Sequence, residues 1–154
     1  MLNTIIPELT ICHAKGIHSK KQALTLISSL VAEADSRLKA KHILEALTQR
    51  EHLGSTNVGH GCAIPHARIQ SLTKALCVLI SLPEPINFDS DDHPQPTDIV
   101  FGLLVPEKAT DEHLALLGEL ASHIKQPGFC KHLRAATNDQ ALYKAATTKL
   151  PTIE

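Results

Sequence analysis

Between Arg50 and Arg68 the chain reads REHLGSTNVGHGCAIPHAR, and this short stretch holds most of what an anion site needs. Gly54, Gly59 and Gly61 let backbone amides approach a phosphate, while Arg50 and Arg68 offer forked guanidinium donors. Ser55 and Thr56 bring hydroxyls that serve either as turn caps or as donors to a phosphate. His66 follows Pro65, which fixes the local chain direction. A neutral imidazole has a free nitrogen lone pair near neutral pH, and a carbonyl on its other nitrogen would hold one edge toward an incoming phosphorus. The chemistry this pattern suits is nucleophilic attack on a phosphoryl group.

Two other uses of these residues fit less well. Gly54 and Gly59 match the first half of a nucleotide-binding P-loop, but His60 and Gly61 stand where Lys and Ser or Thr are required. A glycine loop with no such lysine and an exposed histidine suits a protein that receives phosphoryl from another protein. The chain also carries ten histidines and four cysteines, which raises structural zinc. Zinc wants tight local ligand pairs, and neither Cys12-His13 with His18 nor Cys130 with His132 has a recognised spacing. No metal and no cofactor are therefore expected. His42 and His93 read as ordinary surface residues, His52 and His60 as solvent-facing or loop-bonding ones, and Glu51 as a surface charge. Arg68 reads either as a surface charge or as part of the anion site.

The elements that must carry this stretch are legible on either side. Ser19 followed by Gln22 is a capping box, and Leu24, Ile27, Leu30, Val31 and Ala34 give a helix from about Ser19 to Ala34. A second helix is expected from near Ser36, its apolar period of Ala40, Ile43, Leu44 and Leu47 ending at Gly54, with Arg50 in its last turns. The run GSTNVGHG is then expected to be irregular loop. Lys74 to Leu82 and Asp98 to Val105 are continuous apolar runs of strand length, as in strands covered on both faces by helices. The intervening PEPINFDSDDHPQPT is expected to be an exposed connection with little structure. Thr110 can cap a further helix with His113 in its first turn and a stripe of Leu114, Leu117, Leu120, Ala121 and Ile124. One or two short helices finish the chain, Asn138 being a suitable cap.

Composition sets the outer limits. The chain has 154 residues, a net charge of −1 and 43% hydrophobic residues, enough for one domain with a core of its own. No Trp, one Tyr and three Phe supply neither the basic field nor the stacking rings of a nucleic-acid binder. The apolar runs are far shorter than the ~20 residues that span a bilayer, and MLNTIIPELT lacks a basic n-region, so no membrane insertion and a cytoplasmic location are expected. Cys12, Cys62, Cys77 and Cys130 are widely spaced and read as reduced, mostly buried thiols.

The string REHLGSTNVGHGCAIPHARI, together with the later TDEHLALL, closely resembles the enzyme IIA family of the phosphoenolpyruvate phosphotransferase system. The likeness is to its fructose/mannitol class, particularly the nitrogen-regulatory branch, and it extends from SKKQAL to LRAATNDQALY. It implies a single three-layer α/β/α domain over residues 1–154, with a mixed central β-sheet flanked by helices. It implies that His66 is the phosphorylated histidine, that Arg50 and His113 are its active-site companions, and that Gly54, Ser55, Thr56, Gly59 and Gly61 form the phosphate loop. A departure is Cys62, where an aliphatic residue is expected. The donor implied is a histidine phosphocarrier protein, HPr or its nitrogen-branch paralogue; the recipients are regulatory protein targets or a IIB domain. Nitrogen-related regulation is the favoured function, and a sugar-specific enzyme IIA passing phosphate to a permease IIB domain is the alternative.

Overall fold

The computed structural model describes residues 7–108 and 111–147, His113 by its backbone alone. Its elements run β1 (Leu9–Ile11), α1 (Lys20–Ala34), α2 (Ala40–His52), β2 (Asn57–Gly59), β3 (Cys62–Ala63), β4 (His66–Ile69), β5 (Leu76–Asn87), β6 (Pro96–Pro106), α3 (Asp111–Ile124), α4 (Phe129–Ala135) and α5 (Asp139–Thr147). The two apolar runs pair as the antiparallel centre of the sheet, β5 with β6, in a register that sets Val78 opposite Gly102. β1 joins β5 in parallel, and β3 and β4 lie one after the other along the far edge of β6, also in parallel. β2 pairs antiparallel with β3, so the sheet is mixed, in the order β1-β5-β6-β3-β2 with β4 beside β6.

Strand residues alternate between the two faces of a sheet, and β5 and β6 feed two separate apolar clusters by that rule. Val78, Ile80, Val100 and Leu104 pack with Ile27, Val31, Ile43 and Leu47 of α1 and α2. Leu79, Ile99, Phe101 and Leu103 pack with Leu120, Phe129, Leu133 and Leu142 of the C-terminal helices. The outcome is three layers, helices on both faces of one sheet, the α/β class that the sequence implied. No described helix is long and apolar enough to cross a membrane.

Local differences from the sequence reading have local causes. α1 begins as expected, the Ser19 hydroxyl accepting from the Gln22 amide at 3.2 Å. α2 starts at Ala40 rather than near Ser36, because Asp35 turns back to accept from the Arg37 amide at 3.0 Å and occupies residues 35–38 with a turn. The GSTNVGHG run is not wholly irregular: Asn57–Gly59 is β2, paired with β3 across a register shift. PEPIN is a correction too, since β5 continues to Asn87 and β6 begins at Pro96. The register jumps between Ser81 and Ile86, so Pro83 and Pro85 fall in the unpaired bulge, where their missing donors cost nothing to the ladder. Only the tip beyond Asn87 is loop, and Asn87 Oδ1 ties it by accepting from the amides of Asp89 and Gln95. The Thr110 cap lies outside the described residues, and in α3 the stripe buries from Leu120 onward while Leu114 is exposed. The C-terminal part forms two helices, α4 and α5, and Asn138 caps the second by accepting from the Ala141 amide at 2.7 Å.

Candidate functional site

His66 opens β4, the strand that follows Pro65 along the edge of β6, and α2 packs beside it. The ring is pinned at both nitrogens. Nδ1 lies 2.8 Å from the Ile64 carbonyl, and Nε2 lies 3.2 Å from Nε of Arg50, in the last turn of α2. A carbonyl oxygen only accepts and a guanidinium only donates. Both contacts therefore select one tautomer, with hydrogen on Nδ1 and the lone pair on Nε2. Arg50 is fixed in turn, its Nη1 donating to the Gly54 carbonyl at 3.0 Å. The arrangement presents a half-buried neutral imidazole whose nucleophilic nitrogen faces a guanidinium. Such a pair can attack an electrophilic phosphorus and meet the charge of its oxygens.

The segment after α2 is held by a residue that the sequence reading placed on the surface. Glu51 is 8% exposed, not a surface charge. Its carboxylate accepts from Lys20 Nζ at 3.0 Å, from the Thr56 amide at 3.3 Å and from the Thr56 hydroxyl. A buried carboxylate is tolerated when paired and hydrogen-bonded, and here both conditions are met. Lys20 Nζ also stands 5.1 Å from the centre of the Phe88 ring. Ser55 donates to the Phe88 carbonyl at 2.8 Å and accepts from the Asn57 amide at 3.1 Å, and Asn57 Oδ1 accepts from the Gly59 amide at 2.8 Å. The hydroxyl hydrogens of Ser55 and Thr56 and the amides of Gly54, Thr56, Asn57 and Gly59 thus all point into the protein's own acceptors.

Beyond the loop the β2–β3 turn is clamped from α4. Arg134 forks onto Asp98, with Nε to Oδ2 at 2.8 Å and Nη2 to Oδ1 at 2.9 Å, and Nη2 also donates to the His60 carbonyl. The hydrogen bond to Asp98 pushes the guanidinium further up from an already high value. Gly61 lies directly beneath, at φ +75°, and a Cβ there would fall 3.0 Å from Asp98 Oδ1 and closer still to Arg134. Asn57, His60, Pro85, Asp98 and Arg134 line an open cleft of about 410 Å³ on this side.

The structure brings His66, Arg50 and the Gly54 carbonyl together, while Gly59 and Gly61 lie in the β2–β3 turn, where the Gly61 carbonyl accepts from the Asp98 and Ile99 amides and His66 stands farther along β6, opposite Leu103. His113 is placed in the first turn of α3, but its side chain lies outside the described residues. The side chains of His52, His60 and Arg68 are exposed and take no part in the bonds around His66. Glu51, Lys20, Asp98 and Arg134 were missed as supports. Glu51 offered one signal, its place next to Arg50 on a helix whose buried positions include Leu47. Among the described residues no three metal-ligating side chains converge.

Comparison with known proteins bears on this geometry. The family model described as phosphoenolpyruvate-dependent sugar phosphotransferase system, EIIA 2 matches residues 4–148. The nitrogen regulatory protein of Escherichia coli (strain K12) is 41% identical over 139 residues, 88% of this chain and 84% of that protein. The crystal structure of the nitrogen regulatory protein IIA-Ntr from Neisseria meningitidis superposes with a TM-score of 0.81 at 33% identity, covering 95% of this chain and 99% of that one. IIA mannitol from Escherichia coli, at 18% identity and a TM-score of 0.70 over 88% of this chain and 94% of that one, shares the fold.

Proposed function

Because this chain belongs to the EIIA 2 family of the phosphoenolpyruvate-dependent sugar phosphotransferase system, we propose that His66 carries phosphoryl as a transient phosphohistidine in nitrogen-related regulation. The observation that carries this reading is the double pinning of the ring: Nδ1 on the Ile64 carbonyl, Nε2 facing Arg50. The donor is a histidine phosphocarrier protein, HPr or its nitrogen-branch paralogue. The Nε2 lone pair attacks phosphorus as the phosphorus–nitrogen bond to the donor's histidine breaks. His66 then carries positive charge, which the Nδ1–H to carbonyl contact stabilises. Arg50, released from the nitrogen it faces, turns its donors to the phosphoryl oxygens. Phosphoryl transfer asks mainly for positioning and charge neutralisation, and Arg50 supplies both.

The loop residues Gly54, Ser55, Thr56, Gly59 and Gly61 act in this reading by holding the shape of the segment between α2 and β3, since the donors of Gly54, Ser55, Thr56 and Gly59 are engaged within the protein and Gly61 gives its carbonyl to β6. His113, in the first turn of α3, assists the transfer without accepting the group, with the helix dipole favouring an anion nearby. Relatives near 40% identity are nitrogen regulatory proteins, which favours a regulatory output over sugar transport. Phosphorylation then acts by adding roughly −1.5 to −2 charge at a surface that partners read.

The test is to incubate the protein with phosphoenolpyruvate, the system's first enzyme and a phosphocarrier, and to map the acid-labile label. Label on His66 that is lost in His66→Ala supports the reading; label that persists in the variant overturns it. Partners captured with phosphorylated and unphosphorylated protein should differ. Efficient transfer to a sugar-permease IIB domain, with growth on that sugar lost in His66→Ala, would assign the transport role instead.

A further inference from the structure

Cys62 Sγ and Cys130 Sγ lie 3.3 Å apart, although 68 residues separate them in the chain. One thiol comes from β3, three residues before Pro65, and the other from the second position of α4. This is the one sulfur–sulfur contact among the described residues; Cys12 Sγ donates to the Ala136 carbonyl, and Cys77 is buried without a sulfur neighbour. The distance suits an S–H···S hydrogen bond, and a bond of about 2 Å requires the two sulfurs to close by little more than 1 Å.

The surroundings divide the roles. Cys62 is fully buried, whereas Cys130 keeps 8% of its surface exposed. Arg134 stands four residues on from Cys130, one helical turn away on the same face of α4. The hydrogen bond shared with Cys62, and Arg134 beside it, pull the Cys130 thiol down against its own burial, while the same sharing and burial push Cys62 up. Cys130, the thiol that keeps exposed surface and has Arg134 one turn away, is therefore the sulfur that reacts first.

We propose that Cys62 and Cys130 form a modification site: a hydroperoxide converts this thiol pair into a reversible disulfide that staples β3 to α4 beside the His60–Gly61 turn. The Cys130 sulfur attacks a peroxide oxygen and the O–O bond breaks; with hydrogen peroxide the departing hydroxide takes up the thiol proton as water, leaving a sulfenic acid. The Cys62 sulfur, losing its own proton, attacks the Cys130 sulfur; the S–O bond breaks and a second water leaves. Two thiols and one peroxide become one disulfide and two waters, and a dithiol reductant reverses the change. The staple reinforces the clamp that Arg134 makes to Asp98 and to the His60 carbonyl.

The test treats the reduced full chain with stoichiometric hydrogen peroxide, blocks remaining thiols and measures intact and peptide masses. The expected result is loss of two hydrogens, a Cys62–Cys130 cross-linked peptide, and reversal by dithiothreitol. The cross-link should persist in the Cys12→Ser/Cys77→Ser double variant. In Cys62→Ser a dimedone-trapped sulfenic acid should collect on Cys130. The thermal midpoint of the oxidised wild type should exceed that of the reduced protein, and reductant should erase the difference. If Cys62 and Cys130 both stay alkylatable after peroxide, or Cys130 proceeds to sulfinic acid with Cys62 still a free thiol, the proposal is overturned. Should a serine variant fail to fold, the wild-type cross-link map alone decides.

Discussion

His66 and Arg50 are coupled through one short contact, and their roles separate under substitution. Arg50 makes two bonds in different directions, Nε to His66 and Nη1 to the Gly54 carbonyl. A lysine ammonium is a single point donor and cannot reproduce that fork. Arg50→Ala and Arg50→Lys should both leave His66 able to accept phosphoryl while slowing its transfer, the alanine by about 10²–10³-fold, the usual loss when one charge-stabilising donor is removed. Rapid-quench rates of label acquisition from the phosphocarrier check this, and wild-type rates in both would remove Arg50 from the chemistry. Glu51 is a different kind of residue, since what it satisfies is the amide and hydroxyl of Thr56. Glu51→Ala leaves those buried donors without an acceptor and should destabilise the fold by about 1–3 kcal/mol, read as a lower urea midpoint at unchanged slope. Lys20 softens the loss, because at 26% side-chain exposure it can turn to water.

Among the elements, the β2–β3 turn depends on a glycine for two reasons at once. Gly61 has φ +75°, which costs an L-residue roughly 1–2 kcal/mol, and its missing side chain leaves the space that Arg134 fills. Gly61→Ala should cost about 1–3 kcal/mol in total and break the Arg134–Asp98 pair, measurable by denaturant unfolding and by the chemical shifts around His60. The junction of α3 with α4 should carry a pH response. His123 Nδ1 is buried without a hydrogen-bond partner, its ring 6.1 Å from that of Phe129, and burial holds its pKa below the ordinary histidine value. The unfolded chain therefore takes up the proton more readily than the folded one. Stability from this residue is present above the unfolded value near ~6.5 and falls as pH drops through it toward the lower folded value. His123→Gln should flatten that part of the profile; equal urea midpoint shifts in variant and wild type between about pH 7.5 and 5.5 would exclude the effect.

At the scale of the whole molecule, the fold leaves an apolar side chain exposed beside the turn that Arg50 holds. Leu53 ends α2 at 84% exposure, three residues from Arg50 and next to Gly54, whose carbonyl Arg50 holds. On the proposed function a partner protein docks near this corner, and a leucine that loses its water on docking is a natural anchor. Leu53→Glu should raise the KM for the phosphocarrier about tenfold while leaving thermal unfolding unchanged, because the side chain touches no core. An unaltered KM would place the docking surface elsewhere.

The sequence alone determined what depends on near neighbours. The Ser19 cap, the apolar stripes of α1 and α2 and the unbroken apolar runs of β5 and β6 carry their own periodicity, so helices on both faces of a sheet were legible, as was the concentration of reactive groups between Arg50 and His66. What escaped it depends on distant pairing. The continuation of β5 through two prolines relies on a bulge opposite β6, and the burial of Glu51 relies on Lys20 arriving from another helix. Arg134 reaches Asp98 across 36 residues, and Cys130 reaches Cys62 across 68. In one dimension each of these residues looks like a surface charge or a lone thiol. Its environment is set by which strand lies beside which, and that order is fixed by the packing of two apolar faces rather than by any local pattern.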